Sequence, residues 1–309
     1  MENYTFKVSP EAGQLRLDLY LTSVFPRPVT RSHLKKLMEE GRVLVNGNPA
    51  KPHHKVKSGD TVEVSLEEAR SPALEAEKIA LDIIYEDDDI VVVNKQPGIA
   101  VHPGAGVSSG TLVNALLNHC KGLSDLNEGK PGLVHRLDKD TSGAIVIAKN
   151  NAAHAELARQ FKAREVRKNY LALVKGVIEV DNGVIDLPIG RHPSNRQKMA
   201  VRHDSERNAV TEYKVLKRFT DSTLALLNLK TGRTHQIRVH MAYVGHPVLG
   251  DAKYGSKGKY PRQLLHSYYL RFKHPVTGKE MEFRAGIPDD MKGIIGPEYS
   301  NILPLTKAL

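Results

Sequence analysis

The chain has 309 residues, 40% of them hydrophobic, so it can form a full core and has the length of one large domain plus one small one. Its 45 Lys and Arg against 35 Asp and Glu give a formal charge of +10, which favours a polyanionic partner, with nucleic acid as the first candidate. A single cysteine excludes an internal disulfide framework and Cys-rich zinc sites. Because no apolar run reaches membrane-spanning length and the N-terminus lacks an apolar signal segment, we expect a soluble, cytoplasmic protein.

Residues 15–64 have the pattern of a small independent unit. Two apolar stripes at helical spacing predict two short amphipathic helices, separated by a segment with two prolines. The stripes are Leu17, Leu21 and Val24 in the first helix and Leu34, Leu37 and Met38 in the second. Thr30 or Ser32 can cap the second helix and Gly41 can end it. Strands are then predicted on either side of the tight-turn pair Asn46-Gly47, with a last strand at 62–64.

This small unit carries a local excess of positive charge. Residues 27–57 contain eight basic residues and only two acids. Arg31 and Lys35 lie four residues apart, which places them on one face of the second helix. A basic run can simply be a solvated surface, but its concentration in one unit favours phosphate contacts. Since no aromatic ladder accompanies it, we expect recognition of the backbone and shape of structured RNA.

A second unit is predicted to begin after the Glu- and Ala-rich linker 66–78, with the domain boundary between residues 75 and 76. Strands are predicted at 83–85 and 90–93 around the acidic turn 86–89. We interpret that turn as solvated, because no metal-ligand spacing accompanies it.

The glycine-rich segment 104–110 admits two interpretations. It lacks the spacing of a dinucleotide fingerprint and the Lys of a P-loop, but Gly106–Gly110 matches the nucleophile elbow of serine hydrolases, with Ser108 as the nucleophile. The alternative is a plain loop that ends at Thr111, the N-cap of a helix over 112–117. Cys120 follows that helix and is expected to be a buried, inert thiol.

The most polar segment of the chain is His135–Gly143, which we predict to be a loop between two buried strands, 133–134 and 144–148. Its Asp, Thr, Ser and Gly residues are also those of an ordinary turn. A crowded set of ionisable groups on a rigid support is nevertheless typical of a functional site. The residues alone do not distinguish Asp138 from Asp140 as the important carboxylate.

A helix is predicted around Ala153, Leu157 and Phe161, followed by a strand over 168–174 in which Tyr170 shares a face with Ala172 and Val174. By itself, a tyrosine in such a position is more often a core or sheet-face residue than a ligand platform. Residues 191–207, which include Arg196, are predicted to form a basic hairpin that contacts an RNA backbone.

A further strand at 224–229 precedes a helix with the apolar stripe Ile237, Met241 and Val244, which Thr234 can cap. Arg238 would lie near the positive end of that helix and off its stripe, so either a carboxylate partner or a surface position is expected. His235, His240 and His246 lack the spacing and the accompanying carboxylates of a metal site, and we expect no metal.

Residues 15–64 resemble the S4 RNA-binding module. The resemblance rests on Arg16-Leu17-Asp18, Thr30-Arg31-Ser32, Gly41–Gly47 and Gly59-Asp60, in that order. It implies that the second helix and its flanking loop face RNA, with Arg31 and Lys35 as contact residues.

The region from Leu81 to Ile287 resembles the RluA-type RNA pseudouridine synthases. The matching blocks are His135–Gly143, Lys168-Asn169-Tyr170, Thr231–His240, Gly245–Asp251 with Tyr254-Gly255, Asn94–Gly98 and Val101–Gly104. Arg191-His192-Pro193 and Lys198–Val201 look closest to the RluD type, whose members modify uridines of the 23S rRNA hairpin that faces the decoding centre.

The resemblance implies a role for individual residues. It makes Asp138 the catalytic carboxylate, Arg238 its ion-pair partner, Tyr170 the aromatic that stacks on the flipped base, and Arg136 the residue that fills the space the base leaves. It gives Asp140 no chemical role. It also implies that neither a cofactor nor a metal is needed.

Together these observations predict an α+β protein with an S4-like RNA-binding domain and linker at 1–75 and a catalytic domain at 76–309 built on a mixed, largely antiparallel sheet flanked by helices. The predicted function is pseudouridine formation in 23S rRNA, on the large ribosomal subunit or its precursor, by a monomer. Three alternatives remain. The first is pseudouridine formation at other 23S rRNA sites. The second is a non-catalytic rRNA-binding or assembly factor, which leaves the 135–143 loop unexplained, and the third is a serine hydrolase, which explains only Ser108.

Overall fold

A computed structural model describes residues 2–26, 31–66, 74–104, 106–127, 129–195, 197–255 and 258–297. The predicted cap Thr30, most of the linker 66–78 and Arg196 of the basic hairpin lie outside these ranges, and the Ser32 side chain is also not described. The chain divides into two compact units, Met1–Ala73 and Leu74–Leu309.

The first unit is a four-stranded antiparallel sheet with two helices. Its elements are β1 (Glu2–Lys7), a 3-10 turn (Pro10–Ala12), α1 (Leu17–Val24), α2 (Arg31–Glu39), β2 (Val43–Val45), β3 (Asn48–Pro49) and β4 (Thr61–Leu66). The sheet order is β1-β4-β2-β3. The sequence did not predict β1, which pairs with β4 along its whole length. The two predicted helices and the turn after β2 are present.

Both predicted helical stripes contribute to the core of this unit. Leu17, Leu21, Leu34, Leu37 and Met38 are buried in one cluster with strand residues. Val24 is the exception, because it is the last residue of α1 and its side chain is 36% exposed. Asn46 and Gly47 have φ values of 52° and 77°, the left-handed pair that the tight turn between β2 and β3 requires.

The second unit is built on a nine-stranded sheet of order β5-β6-β7-β14-β8-β13-β12-β9, with β15 paired to β14. Its strands are β5 (Ile83–Glu86), β6 (Ile90–Lys95), β7 (Ser142–Ala148), β8 (Arg167–Lys175), β9 (Asn182–Asp186), β12 (Val210–Arg218), β13 (Ser222–Leu229), β14 (Leu265–Lys273) and β15 (Glu280–Arg284). A separate hairpin is formed by β10 (Ile189–Arg191) and β11 (Met199–Val201). All pairings are antiparallel except β7 with β14. The predicted fold class is therefore confirmed.

Helices cover both faces of the large sheet. They are α3 (Leu112–His119), α4 (Asn151–Lys162), α5 (Gln236–Tyr243) and α6 (Asp289–Ile295). Strand β7 lies near the middle, with Ile145 and Ile147 in the core on one face and Ala144 and Val146 in the core on the other. This two-sided burial explains why its sequence is a continuous apolar run without alternation. The tail after 287, for which the sequence indicated no element, contributes α6, whose Met291 is fully buried.

Candidate active site

The polar segment His135–Gly143 forms a loop that ends at the start of β7. The predicted strand before it is wrong, since Leu133 makes only an isolated bridge to Ile147. Gly143 has φ 112°, and a Cβ atom there would lie 2.2 Å from the carbonyl oxygen of Ser267 on β14. The parallel contact between β7 and β14 therefore requires a glycine at this position.

Lys95, at the end of β6, holds the middle of this loop. Its ammonium donates to the carbonyl oxygens of Gln96, Ile99 and Lys139 at 2.8 to 2.9 Å, and the side chain is fully buried. Burial lowers the pKa of Lys95 to about 7, although the carboxylates of Asp140 and Asp138 favour the charged form. The sequence offered one hint of this role, a lysine at the end of a strand that begins with four apolar residues.

Beside the loop lies a cleft of about 390 Å³, which we call the Asp138 cleft. Its walls include Asp138, Tyr170, Arg238 and Arg136, so four of the predicted site residues lie around one cavity. The other two, Arg31 and Lys35, belong to the first unit. The cleft is also lined by His135, Thr141, Phe161, Lys162, Lys168, Leu229, Gly232, Arg233, Thr234, His235, Gln236 and Leu265, among others.

Arg238 joins two carboxylates. Its Nη1 donates to Asp138 Oδ2 at 2.7 Å, while Nε and Nη2 donate to Asp251 Oδ2 and Oδ1 at 2.7 and 2.9 Å. The expected carboxylate partner of Arg238 is thus present, and a second one accompanies it. Burial would lower the pKa of Arg238, but the hydrogen bonds and charges of both aspartates raise it above its ordinary value. One arginine between two aspartates leaves a net negative charge, and Asp138 is the carboxylate at the cleft.

Asp251 is a site residue to which the sequence gave no role. Its side chain is completely buried, and Oδ1 also accepts the backbone N–H groups of Lys253 and Tyr254 at 2.9 and 3.1 Å. Burial would raise the pKa of Asp251, but Arg238 and these amides hold it below its ordinary value. The fork-shaped contact fixes the guanidinium plane, and with it the position of Asp138.

His235 approaches the other oxygen of Asp138. Its Nε2 lies 3.8 Å from Asp138 Oδ1, and its Nδ1 is 2.7 Å from the hydroxyl of Tyr254, which accepts the Met199 N–H of β11. His235 has φ 56° and is itself the N-cap of α5, so the prediction that Thr234 caps this helix is wrong. Burial lowers the pKa of His235, although the charge of Asp138 opposes this shift.

Tyr170, on β8, lies in the core cluster under the cleft with Ala172 and Val174, as its strand pattern indicated. Its side chain is largely buried, and burial raises the pKa of its phenol to about 12. The residue is therefore neutral at physiological pH, and one part of its surface lines the Asp138 cleft.

His135, the first residue of the loop, has a structural environment. Its Nε2 accepts the Val146 N–H at 3.0 Å, and its ring stacks on Phe161 with the centroids 4.6 Å apart. Burial lowers the pKa of His135 to about 3, so the ring is neutral and suited to accept this hydrogen bond.

The serine hydrolase interpretation finds no structural basis. Ser108 is exposed, and no strand precedes it among residues 96–104 and 106–107. Thr111 is instead the N-cap of α3, with a capping box to Asn114. Cys120 is buried, which raises the pKa of its thiol to about 11, as expected of an inert cysteine.

The acidic turn after β5 is a hydrogen-bonded structure. Among the residues that the structure describes, Asp87, Asp89 and His274 form one group with the ligand atoms for a metal. The Nδ1 of His274 accepts two backbone N–H groups, however, which leaves its proton on Nε2, facing Asp87 at 2.9 Å. Asp87 also accepts the amides of Asp89 and Ile90. These carboxylates are already satisfied by protein donors.

Comparison with known proteins identifies two families to which parts of the chain are similar. The RNA pseudouridylate synthase family profile matches residues 89–243, and the S4 domain profile matches 15–62. The chain is 45% identical to an uncharacterized RNA pseudouridine synthase, YlyB, of Bacillus subtilis strain 168, over 96% of this chain and 98% of that one. It is 44% identical to ribosomal large subunit pseudouridine synthase D of Vibrio vulnificus, over 91% and 90%.

A solved structure, human RNA pseudouridylate synthase domain containing 1, is similar with a TM-score of 0.58 and 32% identity, covering 69% of this chain and 85% of that one. Over the described ranges, none of the helices has the length and apolar composition needed to cross a bilayer.

Proposed function

The chain belongs to the RNA pseudouridylate synthase family, and from this premise we propose that it converts uridines of 23S rRNA, in the hairpin that faces the decoding centre, into pseudouridine. The finer target is supported by relatives named ribosomal large subunit pseudouridine synthase D, by the S4 domain and by the formal charge of +10. The substrate is the large ribosomal subunit or its precursor.

The observation that carries the proposed chemistry is the position of Asp138. Pseudouridine formation breaks the C1′–N1 bond, joins C1′ to C5 and moves the C5 proton to N1, with no change of redox state. Positive charge develops on the sugar as the glycosidic bond breaks, and a neighbouring carboxylate stabilises it. Oδ2 of Asp138 is bound by Arg238, so Oδ1 is the oxygen that can act on the sugar.

Asp138 can act there in three ways: as a nucleophile at C1′, as an electrostatic stabiliser, or as a base toward a sugar proton. Arg238 and Asp251 are positioning residues in each case, because their fork-shaped pair fixes the carboxylate without titrating near neutral pH. No redox cofactor or metal has a step in this reaction.

The substrate uridine must leave its stem to reach the cleft. We assign the stacking of the extruded base to Tyr170 and the filling of the vacated space to Arg136, which is exposed at the edge of the cleft. In the first unit, the exposed cations Arg31 and Lys35 contact the RNA backbone. Tyr170→Phe should retain most activity, whereas Tyr170→Ala should lose most of it; equal losses in a tritium-release assay would contradict stacking.

The deciding experiment maps pseudouridines in rRNA from cells that lack the protein and from cells complemented with wild type, Asp138→Asn or Asp140→Asn. The first variant should restore no pseudouridine, while the second, with the same charge change two residues away, should restore the wild-type pattern. Purified Asp138→Asn should still bind rRNA with nearly unchanged affinity. A non-catalytic assembly factor predicts no difference in the pseudouridine map between any of these strains.

A further inference from the structure

A second groove opens beside the Asp138 cleft, and we call it the basic groove. It has a volume of about 510 Å³ and shares part of its wall with the cleft, including Phe161, Lys168 and Gly232. Its lining residues are Phe161, Lys162, Arg164, Val166, Arg167, Lys168, Asn228, Leu229, Lys230, Thr231, Gly232 and Arg233. The two cavities are therefore adjacent.

The charge of the basic groove has one sign. Six of its lining residues are Lys or Arg, and no described residue that lines it is acidic. They come from the end of α4, the start of β8 and the segment after β13, and β8 and β13 are antiparallel neighbours that pair Asn169 with Asn228. The central sheet thus holds the two basic segments side by side. Such a rigid cationic channel raises the local concentration of a polyanion.

Three of these cations have no partner among the described residues. Lys162, Arg164 and Arg167 are exposed and, within the part of the chain that the structure describes, make no hydrogen bond or ion pair through their side chains. By contrast, Arg159 on the preceding turn of α4 is bound by both Glu156 and Glu165. The available acids thus neutralise a neighbouring arginine and leave the groove cations free.

The other three cations are held in place. Lys230 pairs with Glu212 at 3.0 Å, and Arg233 Nε donates to the carbonyl of Asn208 at 3.1 Å. The ammonium of Lys168 lies 5.3 Å from the ring centroid of Phe161, and burial lowers its pKa. Lys168 lies two residues before Tyr170 on the same face of β8, a separation of roughly 7 Å that one nucleotide can span.

We propose that the basic groove binds consecutive backbone phosphates of the RNA strand next to the uridine that enters the cleft, with Lys162, Arg164 and Arg167 as the phosphate contacts. The inference rests on the proposed function and adds the path of the strand. The ligand is the phosphodiester backbone, since the groove offers cations but no exposed aromatic platform on which bases could stack: Phe161 already contacts His135 and Lys168.

The test neutralises the three free cations together, as Lys162→Ala, Arg164→Asn and Arg167→Ala. Asn is chosen for Arg164 because its φ of 60° disfavours most other side chains. The control variant, Lys121→Ala, Lys214→Ala and Lys279→Ala, removes the same charge from exposed positions that line neither cavity. Both are measured on an unmodified 23S rRNA transcript, for kcat, KM and dissociation constant at several salt concentrations.

The groove variant should raise KM and the dissociation constant roughly 10-fold or more, lower the slope of log affinity against log salt by about 2, and leave kcat within about twofold. The control should change the slope by less than about 0.5. Equal behaviour of the two variants would overturn the proposal, as would a fall in kcat at unchanged KM. If the triple variant unfolds, each single substitution is compared with Lys121→Ala in the same way.

Failure of the proposed function has a different signature. In that case the wild type forms no pseudouridine on the transcript, while the two binding curves still decide whether the groove holds a phosphodiester backbone. If the wild type is active and only the groove variant binds RNA more weakly, the result supports both the proposed function and the proposed role of the basic groove.

Discussion

Each unit of the chain contains a cluster of three charged residues built from aspartate and arginine, but the proportions are inverted. In the first unit Asp18, whose side chain is 8% exposed, pairs with Arg16 and Arg31, which are 48% and 55% exposed. In the second, Arg238 is 7% exposed and joins the buried Asp251 to Asp138. The first cluster therefore has a net positive charge at the surface, and the second has a net negative charge at the Asp138 cleft.

The difference matches the chemistry assigned to each place. An excess positive charge in solvent is suited to bind a phosphate, because the attraction acts over a distance and does not require exact placement of the two groups. A spare carboxylate against a developing sugar cation must be placed to within a fraction of an ångström, so its support is buried and bound at both ends. Surface ion pairs contribute little to stability, whereas breaking a buried one is strongly destabilising.

Among variants that keep Asp138, the largest effect is therefore expected from Arg238→Lys. Lysine cannot form the fork to Asp251 while holding Asp138, so the variant should lose roughly 3–5 kcal/mol of unfolding free energy and about 100-fold or more in kcat. The check is chemical denaturation together with single-turnover pseudouridine formation. Glu86→Gln, which breaks the partly buried pair between Lys149 and Glu86 outside the cleft, is the control and should lower stability alone. Equal kcat losses in the two variants would show that activity falls with stability and does not depend on how Arg238 places Asp138.

Lys95→Met tests whether a second buried charge, the Lys95 ammonium, supports the loop that carries Asp138. The variant leaves three carbonyl oxygens unsatisfied and should lose roughly 1–3 kcal/mol at neutral pH. The pKa of Lys95 is about 7 when folded and about 10.4 when unfolded, so the unfolded chain binds the extra proton between these values. Wild-type stability should thus rise with pH through this window by a contribution that the variant lacks.

The measurement is the unfolding free energy of wild type and Lys95→Met at pH 7 and about pH 9.5. The deficit of the variant should grow with pH, and Lys121→Met, an exposed lysine, should show no such growth. A deficit that stays constant over this range would contradict the assignment.

In the first unit, Asp18→Asn should have a moderate effect. It should strengthen the electrostatic attraction to RNA, whereas the loss of a cation would weaken it. The substitution removes the carboxylate shared by Arg16 and Arg31, so stability should fall slightly while the positive charge toward RNA increases. We expect unchanged kcat and equal or tighter rRNA binding at low salt. Weaker binding would mean that the carboxylate is needed mainly to orient Arg31.

Arg31→Ala should have the smallest effect. The loss of a half-exposed ion pair should change the unfolding free energy by less than about 1 kcal/mol, because solvent screens it. The salt slope of rRNA binding should fall by about 0.9 if Arg31 contacts one phosphate. Lys36→Ala removes an equal charge from the same helix at a position that is not an i, i+4 neighbour of Arg31. Identical slopes for the two variants would exclude Arg31 as a specific contact.

Local patterns predicted what local forces determine. The stripes of α1 and α2, the Asn46-Gly47 turn, the Thr111 cap and the buried run of β7 follow from propensity and periodicity within a few residues. Strand β1 was missed because it reads as mixed polar sequence and is defined by its pairing with β4, more than 50 residues along the chain. Thr234 failed as a cap because the left-handed backbone at His235 begins the helix one residue later.

The charged groups at the cleft required more than local pattern. Asp138 could not be separated from Asp140 in sequence, since the conformation of their loop depends on Lys95, whose bond to the Lys139 carbonyl spans 44 residues. Asp251 belongs to one of the blocks that resemble the family, but the sequence gave it no role, because its burial against Arg238 is a property of the packed fold. The resemblance to a family supplied what periodicity could not.

Gly143 ends the polar segment that carries Asp138, and Gly250 directly precedes Asp251. Each glycine faces a backbone carbonyl that leaves no room for a methyl group. Intolerance of these glycines to substitution in a mutational scan would thus report on assembly of the sheet and its loops. A screen for protein abundance should reject substitutions at both glycines, while tolerating Asp138→Asn. A screen for modified RNA should reject all three, so the two screens together would separate the residues that shape this enzyme from the one that reacts.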